Sequence, residues 1–319
     1  MAFYIGVDIG GTNIKAGVTD GTGNIVGEAE TPTGANRPQE AVIGDILSAA
    51  DRAVSAAGVL RREIFAAGVG CPGTVESSSG TVVYNNNLGW RNFPLGKLLS
   101  EAWRLPVRVE NDANAAALGE VCAGSARGAS SAMTLTLGTG VGSGFVVEGR
   151  IWTGWNASAC EFGHMVIVKG GRLCTCGRRG CLEVYASATG LIDMTREAMA
   201  AHPESLMNAL AEREGRVGGH TAFAAAERGD AAALRVVDEY VDYLACGVTN
   251  IVNGLQPEVV GIGGGVGRQG DRLLAPLRQK VYAEVYGGRG ERFTRLTQCT
   301  LGYRAGLVGA AMAAMQSTV

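Results

Sequence analysis

The chain has 319 residues and a mass of 32.9 kDa, a length typical of two domains. Its 28 lysine and arginine residues and 30 aspartate and glutamate residues give a net charge of −2, which argues against a nucleic-acid partner and against a polybasic membrane contact. Hydrophobic residues make up 46% of the sequence, enough for a packed core rather than a disordered chain. The 49 glycines follow no Gly-X-Y period, which excludes collagen and predicts turns and close backbone contacts.

The apolar runs are shorter than the roughly 18 residues that a membrane-spanning helix needs. The sequence opens with Met1-Ala2-Phe3-Tyr4 and has no basic segment before Asp8. No secretory signal peptide is therefore predicted, and the expected location is cytoplasmic. In that compartment the eight cysteines are expected to be free thiols or metal ligands rather than disulfides.

In the first half of the chain, hydrophobic periodicity and turn residues predict alternating strands and helices. The predicted strands cover residues 3–9, 14–19, 24–30, 64–70 and 106–109. The predicted helices cover residues 38–57, 93–103 and 113–121.

The second half is predicted to repeat this plan. Strands are expected over 132–137, 143–147, 151–153, 259–262 and 295–301, and helices over 186–201, 221–228, 231–255, 271–284 and 305–315, with an irregular cysteine-rich insert over 154–185. Each half opens with a three-strand meander whose first turn is rich in glycine. This weak internal repetition predicts two α/β lobes with mixed sheets and a cleft between them.

Two glycine turns are candidate phosphate-binding loops. The first consists of Gly10, Gly11, Thr12 and Asn13, followed by Lys15, and the second of Gly138, Thr139 and Gly140. Successive backbone N–H groups without side chains form an anion-binding nest, and Asp8 before the first turn could hold the water shell of Mg²⁺. The alternative for one such turn is an ordinary β-hairpin, but two turns at equivalent places favour a polyphosphate held from both sides.

A third glycine segment, Gly263-Gly264-Gly265, follows a predicted strand and suits close packing of a base or a phosphate. The run from Gly265 to Gly270 also matches the dinucleotide fingerprint. About 20 residues further on, the chain offers Arg289 instead of an acid. A nicotinamide-dependent oxidoreductase is therefore a minor alternative.

Asp112 is the candidate catalytic base. It follows the predicted strand 106–109 and begins a predicted helix, in the sequence Glu110-Asn111-Asp112. Ligands of α/β proteins bind at the carboxyl ends of strands, where Asp112 could accept a proton from a hydroxyl and Asn111 could bond to neighbouring hydroxyls. The alternative is that these residues only cap the helix, a position that both types favour.

A cysteine and histidine cluster predicts a zinc site. Cys174, Cys176 and Cys181 lie within eight residues, Gly177 and Gly180 permit tight turns, and His164 lies ten residues upstream. Three cysteines and one histidine are a common tetrahedral zinc set, and buried free thiols are the alternative. Glu161 and Glu183 flank the cluster and would be held in direction by it; each could otherwise be a solvated surface residue.

These features together resemble the ROK family of sugar kinases and sugar-responsive repressors across essentially the whole chain. The matching motifs are Asp8-Ile9-Gly10-Gly11-Thr12-Asn13, Cys71-Pro72-Gly73, Asn85-Asn86-Asn87-Leu88-Gly89-Trp90, Glu110-Asn111-Asp112-Ala113-Asn114-Ala115-Ala116, Leu137-Gly138-Thr139-Gly140-Val141-Gly142, Glu161-Phe162-Gly163-His164 and Cys174-x-Cys176-Gly177-x-x-Gly180-Cys181-Leu182-Glu183. The chain departs from the family at Ala159-Cys160, where a pair of small residues is more usual.

The resemblance implies a two-lobed actin-like, hexokinase-type ATPase fold with duplicated RNase H-like mixed sheets and a zinc-containing insert at 160–183. The implied lobes are 1–117, joined by the helix 305–319, and 118–304. A homodimer or tetramer is implied. The implied roles are a catalytic base at Asp112, a sugar-binding set of Gly73, Asn111, Asp112, Glu161, His164 and Glu183, phosphate loops at Gly10–Asn13 and Gly138–Gly140, an adenosine loop at Gly263–Gly265, and zinc ligands at His164, Cys174, Cys176 and Cys181.

The resemblance therefore predicts an ATP-dependent, Mg²⁺-assisted kinase that phosphorylates the primary hydroxyl of a hexose. Glucose is the expected sugar, because Asn87-Leu88-Gly89-Trp90 and residues 110–117 look most like the bacterial glucose-phosphorylating members. An N-acetylmannosamine or N-acetylglucosamine kinase is the alternative within the class, and a non-catalytic sugar-binding regulator is the alternative outside it. The enzyme is preferred because family repressors carry a helix-turn-helix before the core, and only seven residues precede Asp8.

Overall fold

In a computed structural model of the chain, residues 1–34, 37–85, 87–287 and 293–318 are described. Two residues named above lie outside these ranges. They are Asn86, in the motif Asn85-Asn86-Asn87-Leu88-Gly89-Trp90, and Arg289, which stands where a dinucleotide-binding fold would have an acid. The chain divides into two compact units. The first comprises Met1–Thr134, Gly144–Cys160 and Thr300–Val319, and the second comprises Leu135–Ser143 and Glu161–Cys299. The lobe boundaries expected from the family, near residues 117 and 304, stay a prediction.

The described part of the chain contains thirteen strands. They are β1 Phe3–Ile9, β2 Asn13–Asp20, β3 Ile25–Pro32, β4 Ile64–Cys71, β5 Thr74–Glu76, β6 Thr81–Asn85, β7 Trp90–Phe93, β8 Val107–Asn111, β9 Ser131–Leu137, β10 Val141–Val147, β11 Arg150–Ile151, β12 Val259–Gly263 and β13 Arg295–Gln298.

The same residues form eleven helices. They are α1 Gln39–Ala57, α2 Leu95–Trp103, α3 Asp112–Ala123, α4 Glu183–Ala186, α5 Ala188–Ala201, α6 Leu206–Glu214, α7 Thr221–Ala226, α8 Ala231–Leu255, α9 Gly264–Gly267, α10 Asp271–Glu284 and α11 Ala305–Gln316. Within the described ranges, no helix combines the length and the apolar character needed to cross a membrane.

Two five-stranded sheets have the same plan. The first has the order β3-β2-β1-β4-β8 and the second the order β11-β10-β9-β12-β13. In the first sheet, β1 pairs antiparallel with β2 and parallel with β4, and β4 pairs parallel with β8. Each sheet is thus a meander extended by two later strands, which is the duplication that the sequence predicts.

The sequence prediction is wrong in several places. Phe93 ends the strand Trp90–Phe93 rather than beginning a helix, because this strand pairs with β6 in a small sheet of order β5-β6-β7 that was not predicted. Helix α6 was also missed. The strand predicted over 295–301 ends at Gln298, and the strand predicted over 151–153 is limited to Arg150–Ile151.

Helix α11 packs unusually closely against the first sheet. Residues 305–314 are buried on every side of the helix, as expected for a helix that is apolar all round. A methyl group at Gly68 of β4 would overlap the carbonyl of Ala310, and one at Gly309 would overlap the carbonyl of Ala115 in α3. Glycine therefore lets the backbones of β4, α3 and α11 touch.

Candidate active site and metal cluster

In the first unit, candidate site residues meet at the carboxyl ends of three parallel strands. Asp8 of β1 lies opposite Gly70 of β4, and Cys71 of β4 lies opposite Asn111 of β8. Asp112 follows directly as the first residue of α3. The sequence prediction that Asp112 lies at the carboxyl end of a strand is therefore confirmed, and the sheet brings it beside Asp8.

Asn111, and not Asp112, caps helix α3. Its side-chain oxygen accepts hydrogen bonds from the N–H groups of Ala113 at 2.9 Å and Asn114 at 3.1 Å, the bonds typical of an N-cap. Its amide group donates to the carbonyl of Gly73 at 3.0 Å. These contacts bring together two residues predicted to bind sugar and leave at most one amide hydrogen of Asn111 for a ligand.

The Asp8 carboxyl group is buried next to the carboxylate of Asp112, and both effects disfavour its charged form. Its pKa is raised from 3.8 to about 6 by burial first and then by the negative charge of Asp112, against an opposing effect of Lys15. A methyl group at Gly306, in the first turn of α11, would lie 2.8 Å from the Asp8 Cγ atom, so the helix backbone presses against this carboxyl group. Two carboxylates crowded in this way are a site that a divalent cation would stabilise.

Cys71, which lies next to both carboxylates, is an unreactive thiol. Burial raises its pKa to about 12, against a hydrogen bond from Asn85, and the charges of Asp112 and Asp8 raise it further. Because the thiolate is the nucleophilic form, these surroundings disfavour a nucleophilic role for Cys71. The residue belongs to the buried hydrophobic core of the first unit.

The first glycine turn is held from below by a threonine. The N–H of Gly10 donates to the carbonyl of Asn13 at 2.9 Å, while Thr33 donates through its hydroxyl to Gly10 at 2.6 Å and through its N–H to Thr12 at 2.8 Å. Gly11 and Thr12 are exposed at the tip. Thr33 is a supporting residue that no sequence motif indicated.

The second glycine turn lies in the second unit and is fixed in a similar way. The N–H of Gly138 donates to the carbonyl of Gly140 at 3.0 Å, and the hydroxyl of Thr189 donates to the carbonyl of Thr139 at 2.8 Å. Thr189 belongs to α5, which begins 50 residues after the turn. This contact was also not visible in the sequence.

The segment Gly263–Gly265 lies against the strand that leads into the second turn. Gly264 has φ of 78°, and a methyl group there would lie 2.5 Å from the backbone nitrogen and oxygen of Leu137. Two of the three segments predicted to bind ATP are therefore neighbours within this unit. The backbone at Gly264 is left-handed and crowded, which only glycine accommodates without strain.

Glu183 connects the second glycine turn to the cysteine cluster. Its Oε2 atom accepts a hydrogen bond from the N–H of Val141 at 3.1 Å, and a methyl group at Gly140 would overlap this atom. Its Oε1 atom lies 3.4 Å from the hydroxyl of Thr175 and 3.7 Å from Sγ of Cys174. The carboxylate is thus held in direction, as the sequence analysis expected.

Glu161 and His164 lie on one short 3₁₀ turn. The N–H of His164 donates to the carbonyl of Glu161 at 3.0 Å, and the turn is anchored where the N–H of Phe162 donates to the hydroxyl of Ser143 at 3.1 Å. Residues three apart on such a turn lie one above the other. The Glu161 side chain is exposed, whereas His164 is half-buried.

His164, Cys174, Cys176 and Cys181 form a compact cluster. Their ligand atoms all lie within 4.8 Å of one another. His164 Nδ1 is 3.6 Å from Cys174 Sγ, and Cys176 Sγ is 3.7 Å from Cys181 Sγ. A zinc ion with bonds of about 2.3 Å to sulfur places neighbouring ligands of a tetrahedron about 3.8 Å apart. The four residues therefore fit a tetrahedral metal ion.

The backbone of the insert is shaped for this cluster. Gly177 and Gly180 have φ of 87° and 82°, which confirms the tight turns predicted there. Burial and the neighbouring sulfur atoms raise the pKa of Cys181 to about 12, whereas the backbone N–H of Arg178 lowers the pKa of Cys176. A bound cation would relieve the crowding of three sulfurs by favouring their thiolate forms.

Together, the duplicated sheets, the glycine turns and the carboxylates at strand ends define a hexokinase-type α/β fold. A ROK family glucokinase from Streptomyces griseus, solved in complex with glucose and AMPPNP, matches the chain with a TM-score of 0.84 and 34% identity over 99% of this chain and 100% of that one. The ROK hexokinase from Thermus thermophilus matches with a TM-score of 0.81 and 34% identity over 99% of each chain.

The protein belongs to the ROK family, whose model matches residues 4–317. A glucokinase from Halalkalibacterium halodurans is 40% identical over 310 residues, which are 96% of this chain and 93% of that protein. The predicted family and fold are thereby confirmed.

Proposed function

We propose that this protein is an ATP-dependent hexose kinase that converts glucose to glucose 6-phosphate. The similar proteins named glucokinase, and the S. griseus structure with glucose and an ATP analogue, support this activity. Within this chain, the observation that supports the kinase activity is that Asn111 and Asp112 at the start of α3 have different contacts. Because Asn111 caps the helix, capping does not account for the carboxylate of Asp112, which is the group that the chemistry needs.

In the proposed reaction, Asp112 accepts the proton of the sugar's primary hydroxyl. The hydroxyl oxygen forms a bond to the γ-phosphorus of ATP as the bond from that phosphorus to the bridging oxygen breaks, and ADP leaves. The turns Gly10–Asn13 and Gly138–Gly140 hold the phosphates through backbone N–H groups other than those of Gly10 and Gly138, which close the turns themselves. Little covalent chemistry falls to the protein, so positioning and electrostatic stabilisation supply most of the acceleration.

Asp8 is the residue that would hold a hydrated Mg²⁺ ion. Its pKa of about 6 reflects burial beside a second negative charge, and a cation would neutralise that charge and balance the phosphates. Lys15 lies opposite Asp8 in the β1–β2 pairing and adds a positive charge to the same edge. Both assignments follow from the sequence prediction and remain proposals.

The remaining sugar-binding residues would read the hydroxyl groups of the hexose. Glu161 and Glu183 offer carboxylate oxygens as acceptors, and Gly73 supports Asn111 through its carbonyl. His164 has Nδ1 directed to Cys174, so Nε2 would carry the proton and could donate to a sugar hydroxyl. The Gly263–Gly265 segment would lie against the adenosine.

Zinc is the metal that the cluster would hold. Sulfur and imidazole ligands in a tetrahedral arrangement suit zinc, and four protein ligands leave no open position, which is typical of a structural ion. Bound there, it would fix the insert that ends at Glu183. The predicted homodimer or tetramer and the predicted cytoplasmic location stay predictions.

The decisive experiment is Asp112→Asn measured with glucose and ATP. Loss of a general base lowers kcat by about 10²–10⁴-fold, whereas glucose binding should remain nearly unchanged because the shape and most hydrogen bonds are kept. Asp193→Asn, on the exposed face of α5, is the matched control and should keep wild-type activity. Turnover of Asp112→Asn within tenfold of wild type would exclude it as the base.

A panel of sugars tests the substrate. Glucose should give a higher kcat/KM than N-acetylmannosamine or N-acetylglucosamine, because an acetamido group needs room that a pocket fitted to a hydroxyl lacks. The opposite ranking would favour the hexosamine kinase. Saturable glucose binding without any phosphorylation would favour the sugar-binding regulator.

A further inference from the structure

The Lys15 side chain pairs with neither of the two carboxylates beside it. Lys15 lies opposite Asp8 of β1 on one side and opposite Glu30 of β3 on the other. Opposite residues of neighbouring antiparallel strands share one face of the sheet, and opposite charges placed in this way stabilise it. Within the part of the chain that the structure describes, however, the Lys15 ammonium group forms no ion pair and no hydrogen bond.

The ammonium group lies instead over the ring of Tyr303. Its nitrogen is 5.0 Å from the ring centroid, within the distance of about 6 Å that defines a cation–π contact. Lys15 is half-buried and Tyr303 is 51% exposed. Because the ring face is the partner in such a contact, the three N–H donors of the ammonium group are not used by it.

The turn that carries Tyr303 is fixed at both ends. Before it, the N–H of Leu301 donates to the buried carboxylate of Glu120 at 2.9 Å. After it, Arg304 donates to both carboxylate oxygens of Glu28 at 2.6 Å and 3.0 Å, and its guanidinium carbon lies 5.4 Å from the centroid of the Tyr303 ring. These contacts hold the ring in place independently of Lys15.

The same segment lies against the proposed cation-binding group. A methyl group at Gly306, three residues after Tyr303, would lie 2.8 Å from the Asp8 Cγ atom. Burial and the charge of Asp112 raise the pKa of Asp8, and the charge of Lys15 opposes that rise. Lys15 also follows the end of the first glycine turn by two residues. The ammonium group is therefore at the edge of the sheet where a nucleotide phosphate is proposed to bind.

We propose that Tyr303 is a positioning residue for the phosphate site: its ring holds the Lys15 ammonium group apart from Asp8 and Glu30, so that the ammonium group stays available to a phosphate oxygen of ATP. This inference rests on the proposed kinase function. An ion pair between Lys15 and Asp8 would weaken both groups, because each would then partly neutralise the other. The uncharged ring holds the cation without that loss.

Calorimetric binding of the Mg²⁺ complex of AMPPNP tests this role without catalysis. Tyr303→Leu should raise the Kd by about two- to fivefold, the effect of losing a cation–π contact at a partly exposed site. Tyr303→Phe keeps the ring and should bind like the wild type. In a Lys15→Met background, Tyr303→Leu should have no further effect, because residues that act through one another are not additive. Tyr286→Leu, at a tyrosine that is 89% exposed, is the matched control and should leave the Kd unchanged.

Two binding results would overturn the proposal. One is an unchanged Kd in Tyr303→Leu. The other is a loss in Tyr303→Leu that is equally large with and without Lys15, which would show that Tyr303 does not act through this lysine. A merely structural role for the ring would give that second result, since it would not depend on the ammonium group.

The contact between the ring and Lys15 can also be tested without nucleotide. The chain has four lysines, and reductive ¹³C-methylation labels each of them for NMR while keeping its positive charge. The Lys15 signal, identified by its absence in Lys15→Met, should be shifted by the aromatic ring in the wild type and in Tyr303→Phe but not in Tyr303→Leu. The same signal position in all three proteins would overturn the contact. If the wild type binds no nucleotide, the kinase assignment fails together with the phosphate role, while this signal still decides whether the ring holds Lys15.

Discussion

Replacing Gly140 with alanine would put a methyl group where the Glu183 carboxylate now lies. The added carbon would overlap Oε2 and lie 3.1 Å from Cδ of Glu183. The same Oε2 atom accepts the Val141 N–H at 3.1 Å. Either the carboxylate or the glycine turn must move, and both belong to the proposed site. One methyl group therefore tests whether the turn and the sugar-binding carboxylate act as a unit.

The expected loss follows from the hydrogen bond that is broken. A hydrogen bond to a charged group contributes about 1.5–3 kcal/mol, which corresponds to a loss of roughly 10–150-fold in kcat/KM. The backbone at Gly140 is not left-handed, so no conformational penalty is added. The loss comes from the displaced carboxylate, since Glu183 is a flexible side chain that can move aside.

Steady-state kinetics with glucose and ATP, together with thermal unfolding, measure both consequences. Gly254→Ala is the matched control, because this glycine lies in the last turns of α8 and a methyl group there meets no atom within 4 Å. That change should leave kcat/KM unaltered and raise stability by about 0.5–1 kcal/mol. If Gly140→Ala retained kcat/KM within threefold of wild type, Glu183 would not need its present position for catalysis.

Three further changes test other parts of the site. In the folded state the Asp8 pKa is raised from 3.8 to about 6, so the folded protein binds more protons than the unfolded chain between these values, and the free energy of unfolding should fall as the pH rises through this range. Asp8→Asn should remove that fall and stabilise the protein at pH 7 by on the order of 3 kcal/mol, as urea unfolding at several pH values would measure; identical pH profiles would contradict this. Cys176→Ser should lower zinc content and glucose affinity together, whereas Cys246→Ser, outside the cluster, should change neither; full zinc content by metal analysis in Cys176→Ser would refute the ligand assignment. Cys160→Ala should destabilise the protein more than Cys160→Gly, because only glycine relieves the left-handed backbone, which costs about 1–2 kcal/mol for other residues; the reverse order of melting temperatures would show that side-chain burial dominates.

The long elements of the fold could be predicted because their patterns are local. Helices α8 and α10 and strand β1 have the predicted bounds, since a long amphipathic or apolar run specifies its own structure. The small sheet β5-β6-β7 could not be predicted. Its strands have three to five residues and exist through pairing with each other, which no local pattern reveals.

The sequence motifs predicted the candidate site residues, but not the residues that hold them in place. The spacing of the cysteines indicated the metal cluster, and the structure brings its four residues together. Thr33, Ser143 and Thr189 hold the site segments through hydrogen bonds to backbone groups distant in sequence. A lone threonine or serine carries no signal of such a partner, because its hydroxyl can pair locally or with water equally well.

The backbone conformation at Cys160 gives its departure from the family pattern a physical consequence. From sequence, Ala159-Cys160 was only a departure from the pair of small residues that is usual in the family. The φ of 66° at Cys160 lies in the left-handed region, which glycine adopts without the steric cost that any residue with a Cβ atom pays.

The two carboxylates at the strand ends differ in surroundings, and the difference divides their roles. Asp112 occupies the first turn of the twelve-residue helix α3, where the helix dipole favours a negative charge. Asp8 is buried next to that charge, which raises its pKa to about 6. This difference supports the proposed roles, in which Asp112 is the base and Asp8 is the cation-binding group. Because neighbouring acids with opposed environments take opposed roles, a single edge of the sheet can supply both the base and the cation-binding group.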